Sequence, residues 1–141
     1  MKYSEWELAV PLQIRRDALW SVKAYRLTLF LSDLSWKDCE AIMKEPRLAG
    51  CVDQIERACA KISPCIAEGY SRGTGRDRAR FYEYAIGSLR EARDWYYKSR
   101  HVLKAAVYKH RLEVMEESLK LLLAMVARER KVTRKFDKVD A

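Results

Sequence analysis

The chain has 141 residues, with 28 Lys and Arg against 20 Asp and Glu, for a net charge of +8. That length fits one domain and is short for two, and an apolar share of 49% can bury a core, which excludes a wholly disordered chain. Five Gly and three Pro are too few for a turn-rich β-sandwich. The longest uncharged apolar run, Leu121 to Ala127, falls far short of the roughly 20 residues that span a bilayer. The opening Met1-Lys2-Tyr3-Ser4-Glu5 has no apolar stretch of a secretion signal, so the expected compartment is the cytoplasm, without membrane attachment.

All the breakers but Pro64 and Gly87 sit at the edges of long apolar-periodic segments rich in Ala, Leu, Glu, Lys and Arg, which predicts an all-α chain. A first helix is expected from about Asp17, with Leu19, Val22, Leu29 and Phe30 at helical spacing. Ser32 and Asp33 weaken it, so Trp36 to Met43 is expected as a separate short helix N-capped by Ser35. The second helix carries Leu48, Val52, Ile55, Cys59, Ile62 and Ile66, spaced alternately four and three apart, an unbroken seam. Pro64 lies inside it and predicts a kink, because its ring crowds the carbonyl of Ala60. Gly69 is read as its C-terminal stop.

A third helix is expected after the Gly73-Thr74-Gly75 turn, with Thr74 as N-cap and Asp77 reaching back to it. Its seam runs Phe81, Ala85, Ser88, Ala92, Trp95, Ser99, Val102 and Ala106, with close helix approach expected near Gly87 and Ser88. Most of Tyr82, Tyr84, Tyr96 and Tyr97 read as core or subunit contacts rather than ligand platforms. A fourth helix, from about Lys109 to Arg130, bears Leu112, Met115, Leu119, Leu122 and Val126, widened by Leu121, Leu123 and Met125. A stripe that broad needs a central position or a subunit interface. Four helices with short linkers predict an antiparallel, up-down four-helix bundle. Its core spans about residues 17–130, and a flexible basic tail covers about 131–141.

The residues support little site chemistry. Cys39, Cys51, Cys59 and Cys65 form no C-x-x-C pair and read as small core residues in a reducing compartment; a disulfide or metal site is the other reading. His101 and His110 lack the Glu-x-x-His spacing of a di-iron bundle and the ligand spacing of zinc. No phosphate-binding loop or nucleophile elbow is present. No metal, cofactor or catalytic residue is therefore expected.

Charge is more informative. Residues 1–69 carry ten basic and ten acidic groups, whereas residues 70–111 carry eleven and four, and residues 128–141 six and three. Arg72, Arg76, Arg78, Arg80, Arg90 and Arg93 form the first cluster, and Arg128, Arg130, Lys131, Arg134 and Lys135 the second. Arginine offers a planar fork suited to phosphate, and clustered positive charge marks a polyanion binder. The competing reading is a solvated face on which Glu83, Glu91 and Asp94 pair locally. Antiparallel packing of helices three and four would merge the clusters at one end.

The stretch Lys61-Ile62-Ser63-Pro64-Cys65-Ile66-Ala67-Glu68-Gly69-Tyr70-Ser71-Arg72 resembles the hallmark of the four helix bundle protein family, first noted as products of intervening sequences in 23S ribosomal RNA genes. Ala85-Ile86-Gly87-Ser88-Leu89-Arg90-Glu91 resembles its second hallmark, and the likeness covers roughly residues 17–127. Cys65 stands where the family usually has Asn, and Ser63 where it often has Ile; the Ser32 to Lys44 segment is longer than usual. The resemblance implies a homopentameric ring of four-helix bundles and kinship with the accessory variability protein of diversity-generating retroelements. It thus implies nucleic acid, or a reverse transcriptase, as a partner, and no enzymatic activity. Pro64, Glu68, Gly69, Gly87, Ser88 and Glu91 match the family motif and are expected to be structural, Glu68 and Glu91 as caps or cross-helix hydrogen bonds.

Overall fold

Four long helices form where the sequence carries runs of helix formers. In the computed structural model, which describes residues 1–140 and side chains through Lys131, they are α3 (Lys23–Met43), α5 (Val52–Tyr70), α6 (Gly75–Lys98) and α7 (Ala105–Asp140). Shorter pieces precede or join them: α1 (Tyr3–Ala9), α2 (Leu12–Arg15), a 3₁₀ turn at Ala18–Ser21, and α4 (Pro46–Ala49). No strand occurs among the described residues. Each long helix packs mainly on two others, α3 and α6 each lying against α5 and α7. Phe30, Leu31, Ile42, Ile55, Ile62, Ile66, Leu89, Tyr96, Met115 and Leu122 fill the centre and are fully buried. No helix among the described residues is long and apolar enough to cross a membrane.

The first helical segment departs from the sequence reading. Asp17 caps the 3₁₀ turn, accepting from the Leu19 N–H at 2.8 Å, and α3 starts only at Lys23. It then runs unbroken through Ser32, Asp33 and Ser35, so Trp36 to Met43 is its last part and not a separate helix. The polar groups that should have broken it find partners. Ser35 is no cap; its hydroxyl donates to the Ser32 carbonyl at 2.8 Å. Asp33 accepts from the Trp6 indole N–H at 2.7 Å, which pins α1 across the core beside Phe30. The extra helix between the first two long ones is instead α4, whose N-cap Glu45 accepts from the Arg47 N–H.

α5 buries Val52, Ile55, Cys59, Ile62 and Ile66, while Leu48 falls in α4. Gly69 does not end it in a left-handed turn, since no described residue has positive φ. Gly69 is instead a contact: a Cβ there would lie 2.8 Å from Tyr82 Cε1 and 2.9 Å from Phe81 Cβ, so α5 and α6 meet where only a hydrogen fits. At Gly87 a Cβ would meet nothing within 4 Å, so the expected close approach there is absent.

Thr74 caps α6 as expected, accepting from the Asp77 N–H at 3.2 Å, while the Asp77 carboxylate turns to Arg80. α6 stops at Lys98, eight residues before the expected Ala106. Ser99 ends it, its hydroxyl donating to the Trp95 carbonyl at 2.8 Å, and Val102 and Leu103 fold onto the core. α7 begins at Ala105, ahead of the expected Lys109, and continues past Arg130. Side chains of the basic tail, Arg134 and Lys135 included, lie outside the described residues.

Candidate nucleic-acid interface

The two basic clusters lie side by side. Arg78 Nε donates to Glu129 at 2.9 Å, and Arg130 pairs with Glu83, so the first turns of α6 run against residues 128–131 of α7. Thr74 and the acidic Asp77 start α6 at this end, which exposes a helix N-terminus rimmed by arginine.

Pairing divides the cluster. Arg72 pairs with Glu68, Arg78 with Glu129, Arg80 with Asp77 at 3.8 Å and Arg130 with Glu83. Arg72 and Arg80 also flank the Phe81 ring, at 4.7 and 5.3 Å from its centroid. Arg76, Arg90, Arg93, Arg128 and Lys131 are exposed, and no ion pair engages them among the described residues. Local carboxylates therefore neutralise part of the surface, and the free cations fall in two places. Arg76, Arg128 and Lys131 lie at the α6–α7 end. Arg90 and Arg93 line a concavity farther along α6 with Tyr97 and Tyr108.

Arg111, counted with the basic excess of residues 70–111, is not a surface cation. It is 8% exposed, with Nε and Nη2 donating to Asp38 at 2.7 and 3.0 Å. The Tyr96 hydroxyl donates to the same carboxylate at 2.7 Å, and burial raises the Tyr96 pKa above its usual value. Arg111 Nη1 also lies 2.6 Å from His110 Nδ1; partial burial and the nearby guanidinium lower the His110 pKa. This network ties α3, α6 and α7 together at the end remote from Arg128.

The motif residues divide differently. Pro64, Glu68, Gly87 and Glu91 are exposed and line a groove of about 750 Å³ between α5 and α6 with Ser88 at its wall. Gly69 and Ser88 are buried. Glu68 reaches Arg72 on its own chain segment, so it makes no bridge to α6.

Tyr82 and Tyr96 are core, one of the two roles expected of the tyrosines, whereas Tyr97 is 54% exposed and Tyr84 51%; sequence reasoning did not single out these two exposed rings. The helical phase of Tyr97, four residues after Arg93, was the available signal. The cysteines are free; Cys39 and Cys59 are buried, and burial pushes both thiols up to about 12, whereas Cys51 and Cys65 are half-buried. Among the described residues no group of His, Cys, Asp and Glu is placed to hold a metal ion.

These features define an all-helical protein with a concentrated arginine surface. Residues 21–128 match the model of the 23S rRNA-intervening sequence protein family, and the chain belongs to that family. None of the curated proteins matches it.

Proposed function

We propose that this chain works without catalysis, as a helical scaffold that binds RNA or DNA through its basic surface. The observation that carries the reading is the juxtaposition, where α6 and α7 meet, of Arg76, Arg128 and Lys131, which have no ion pair among the described residues, the contact fixed by Arg78–Glu129 and Arg130–Glu83. Guanidinium groups left without carboxylate partners are free to take phosphate. The family's name, which refers to 23S rRNA, supports RNA as the partner.

The scaffold is read as an antiparallel four-helix bundle of α3, α5, α6 and α7. Lys23 at the start of α3 meets Glu117, while Asp38 near its end meets Arg111, which supports opposed directions for α3 and α7. Self-association as a homopentamer, in the cytoplasm, belongs to the same proposal. Apolar side chains left exposed on α6 and α7, Tyr84 at 51% and Leu123 at 46%, support it.

A salt-dependent binding titration with fluorescent RNA, run alongside light scattering, tests the proposal. Affinity should fall steeply with salt, because each neutralised phosphate releases counterion. Arg76→Glu combined with Arg128→Glu should weaken binding at least about 10-fold whatever the base sequence and lower the salt slope by about two. Absence of binding at low salt, or affinity indifferent to salt, refutes the interface. A monomer mass refutes the assembly.

A further inference from the structure

We infer that the concavity between α6 and α7 is a seat for an unpaired base of single-stranded nucleic acid, with Tyr97 as its stacking face and Arg90 and Arg93 on the adjoining phosphates. The inference rests on the nucleic-acid reading above and adds to it a site, a strand state and two aromatic residues.

The concavity measures about 400 Å³ and is lined by Arg90, Arg93, Asp94, Tyr97, Tyr108 and Leu112. Ligand pockets begin at roughly 300 Å³, so the space accepts one base with its sugar and little more. Its electrostatics favour an anion. Arg90 and Arg93 are exposed without ion pairs among the described residues, and the lining carboxylate, Asp94, is held by Lys98 at 2.7 Å.

Its aromatic part is already braced. The Arg100 guanidinium lies 4.0 Å from the Tyr97 ring centroid and donates to the Tyr97 carbonyl at 2.9 Å. One guanidinium thus steadies the ring, which is still 54% exposed and able to take a second flat partner. Stacking between an aromatic ring and a base has this geometry, and it tolerates any base because each has a π-face. A duplex covers its base faces with neighbouring pairs, so the Tyr97 ring can stack only on a splayed base. An acidic peptide would use the arginines and leave Tyr97 and Tyr108 without a role.

The same helix face leads into the site. Arg76, Glu83, Arg90 and Tyr97 recur every seven residues and are all exposed, so they form one line down α6, drifting only about 20° per step. Glu83, the sole acid in that line, is covered by Arg130. From Arg76 to Tyr97 the line spans about 30 Å at 1.5 Å per residue. A single strand laid along it would meet cations first and the ring last.

The test compares a short fluorescein-labelled oligouridylate with an RNA duplex of equal length, on the full chain. The oligouridylate should bind more tightly than the duplex. Tyr97→Leu should weaken it roughly 5- to 100-fold with the duplex unaffected, and Tyr97→Phe should restore it. Ultraviolet cross-linking to an iodouridine-bearing strand should mark Tyr97 or Tyr108. Salt-sensitive binding that is equal for strand and duplex and indifferent to Tyr97→Leu overturns this inference and leaves the basic interface standing. No binding of either probe overturns both. Displacement of the strand by polyglutamate at equal charge marks a generic polyanion surface and also overturns the base seat. Since Tyr97 is half-exposed, its variants should melt like the parent; if Tyr97→Leu does not fold, Tyr97→Gln, which also removes the ring, provides the same strand-specific loss to be measured.

Discussion

The buried Asp38–Arg111 pair offers the sharpest test of the fold. Asp38 is 6% and Arg111 8% exposed, and the carboxylate accepts two guanidinium bonds and the Tyr96 hydroxyl. Asp38→Asn keeps the shape and removes the charge, which leaves the Arg111 charge buried with only an uncharged amide oxygen and the His110 ring to accept from it. Coulomb attraction between unit charges about 4 Å apart is on the order of 4 kcal/mol at an effective dielectric near 20. Breaking a buried pair from one side costs about 3–5 kcal/mol, because the charge left behind is buried and uncompensated. That is a fifth or more of the roughly 5–15 kcal/mol that holds a domain together, so Tm should fall by on the order of 10 °C. Urea unfolding followed by helical circular dichroism, with the m-value unchanged, gives the free energy directly. Tyr96→Phe, which removes one donor to a charged acceptor, should cost about 1–3 kcal/mol. Replacing the pair together, as Asp38→Leu with Arg111→Met, should cost much less than Asp38→Asn alone. If Asp38→Asn costs under about 1 kcal/mol, the pair is not desolvated and the assignment of Arg111 to the core is wrong.

Gly69 in α5 and Gly87 in α6 should respond in opposite directions. Gly69→Ala places a methyl against Tyr82 and Phe81 and should destabilise by about 1–2 kcal/mol, the overpacking strain exceeding the helix propensity gained. Gly87→Ala meets nothing and should stabilise by about 0.4–1 kcal/mol; matching signs in thermal melts would contradict the packing described. Alkali should unfold the protein early. Burial lifts Cys39 and Cys59 from 9.0 to about 12, so the stability they confer is intact below pH 9. It is lost as pH rises toward 12, because the unfolded chain releases those protons first. Melting temperature should drop steadily across that window, and less steeply in Cys39→Ala with Cys59→Ala; a flat profile in the parent would show the thiols to be hydrated.

What could be read from sequence was whatever neighbouring residues decide among themselves. The α5 seam from Val52 to Ile66 and the Thr74 cap are local, and both stand in the structure. The continuity of α3 is not local. Ser32, Asp33 and Ser35 look like a break until Trp6 engages Asp33 and the hydroxyl of Ser35 turns back on its own helix. The end of α6 at Ser99 was hidden for the converse reason, since no Gly or Pro marks it and the inward turn of Val102 and Leu103 is a matter of tertiary packing. In the site, arginine density was legible and pairing was not. Arg78 finds Glu129 from 51 residues away, and no window along the chain shows that.

The pairing sets how the surface should work. An exposed ion pair contributes only about 0.2–1 kcal/mol, so the carboxylates beside Arg72, Arg80 and Arg130 are weak competitors for a phosphate that arrives with its neighbours. Arg78 and Glu129 are more enclosed, at 25% and 18% side-chain exposure, and exchange there gains least. The arginines therefore form a graded set. Arg76 and Arg128 can take phosphate with no partner among the described residues to displace, Arg72, Arg80 and Arg130 after a small exchange, and Arg78 serves mainly to fix α7 against α6. Charge reversal at Arg76 should then cost more affinity than reversal at Arg80 by a factor of up to about 5, the worth of one exposed pair. Equal losses at the two positions would mean that affinity follows total charge alone, and the particular placement of free and paired arginines would carry no part of the binding.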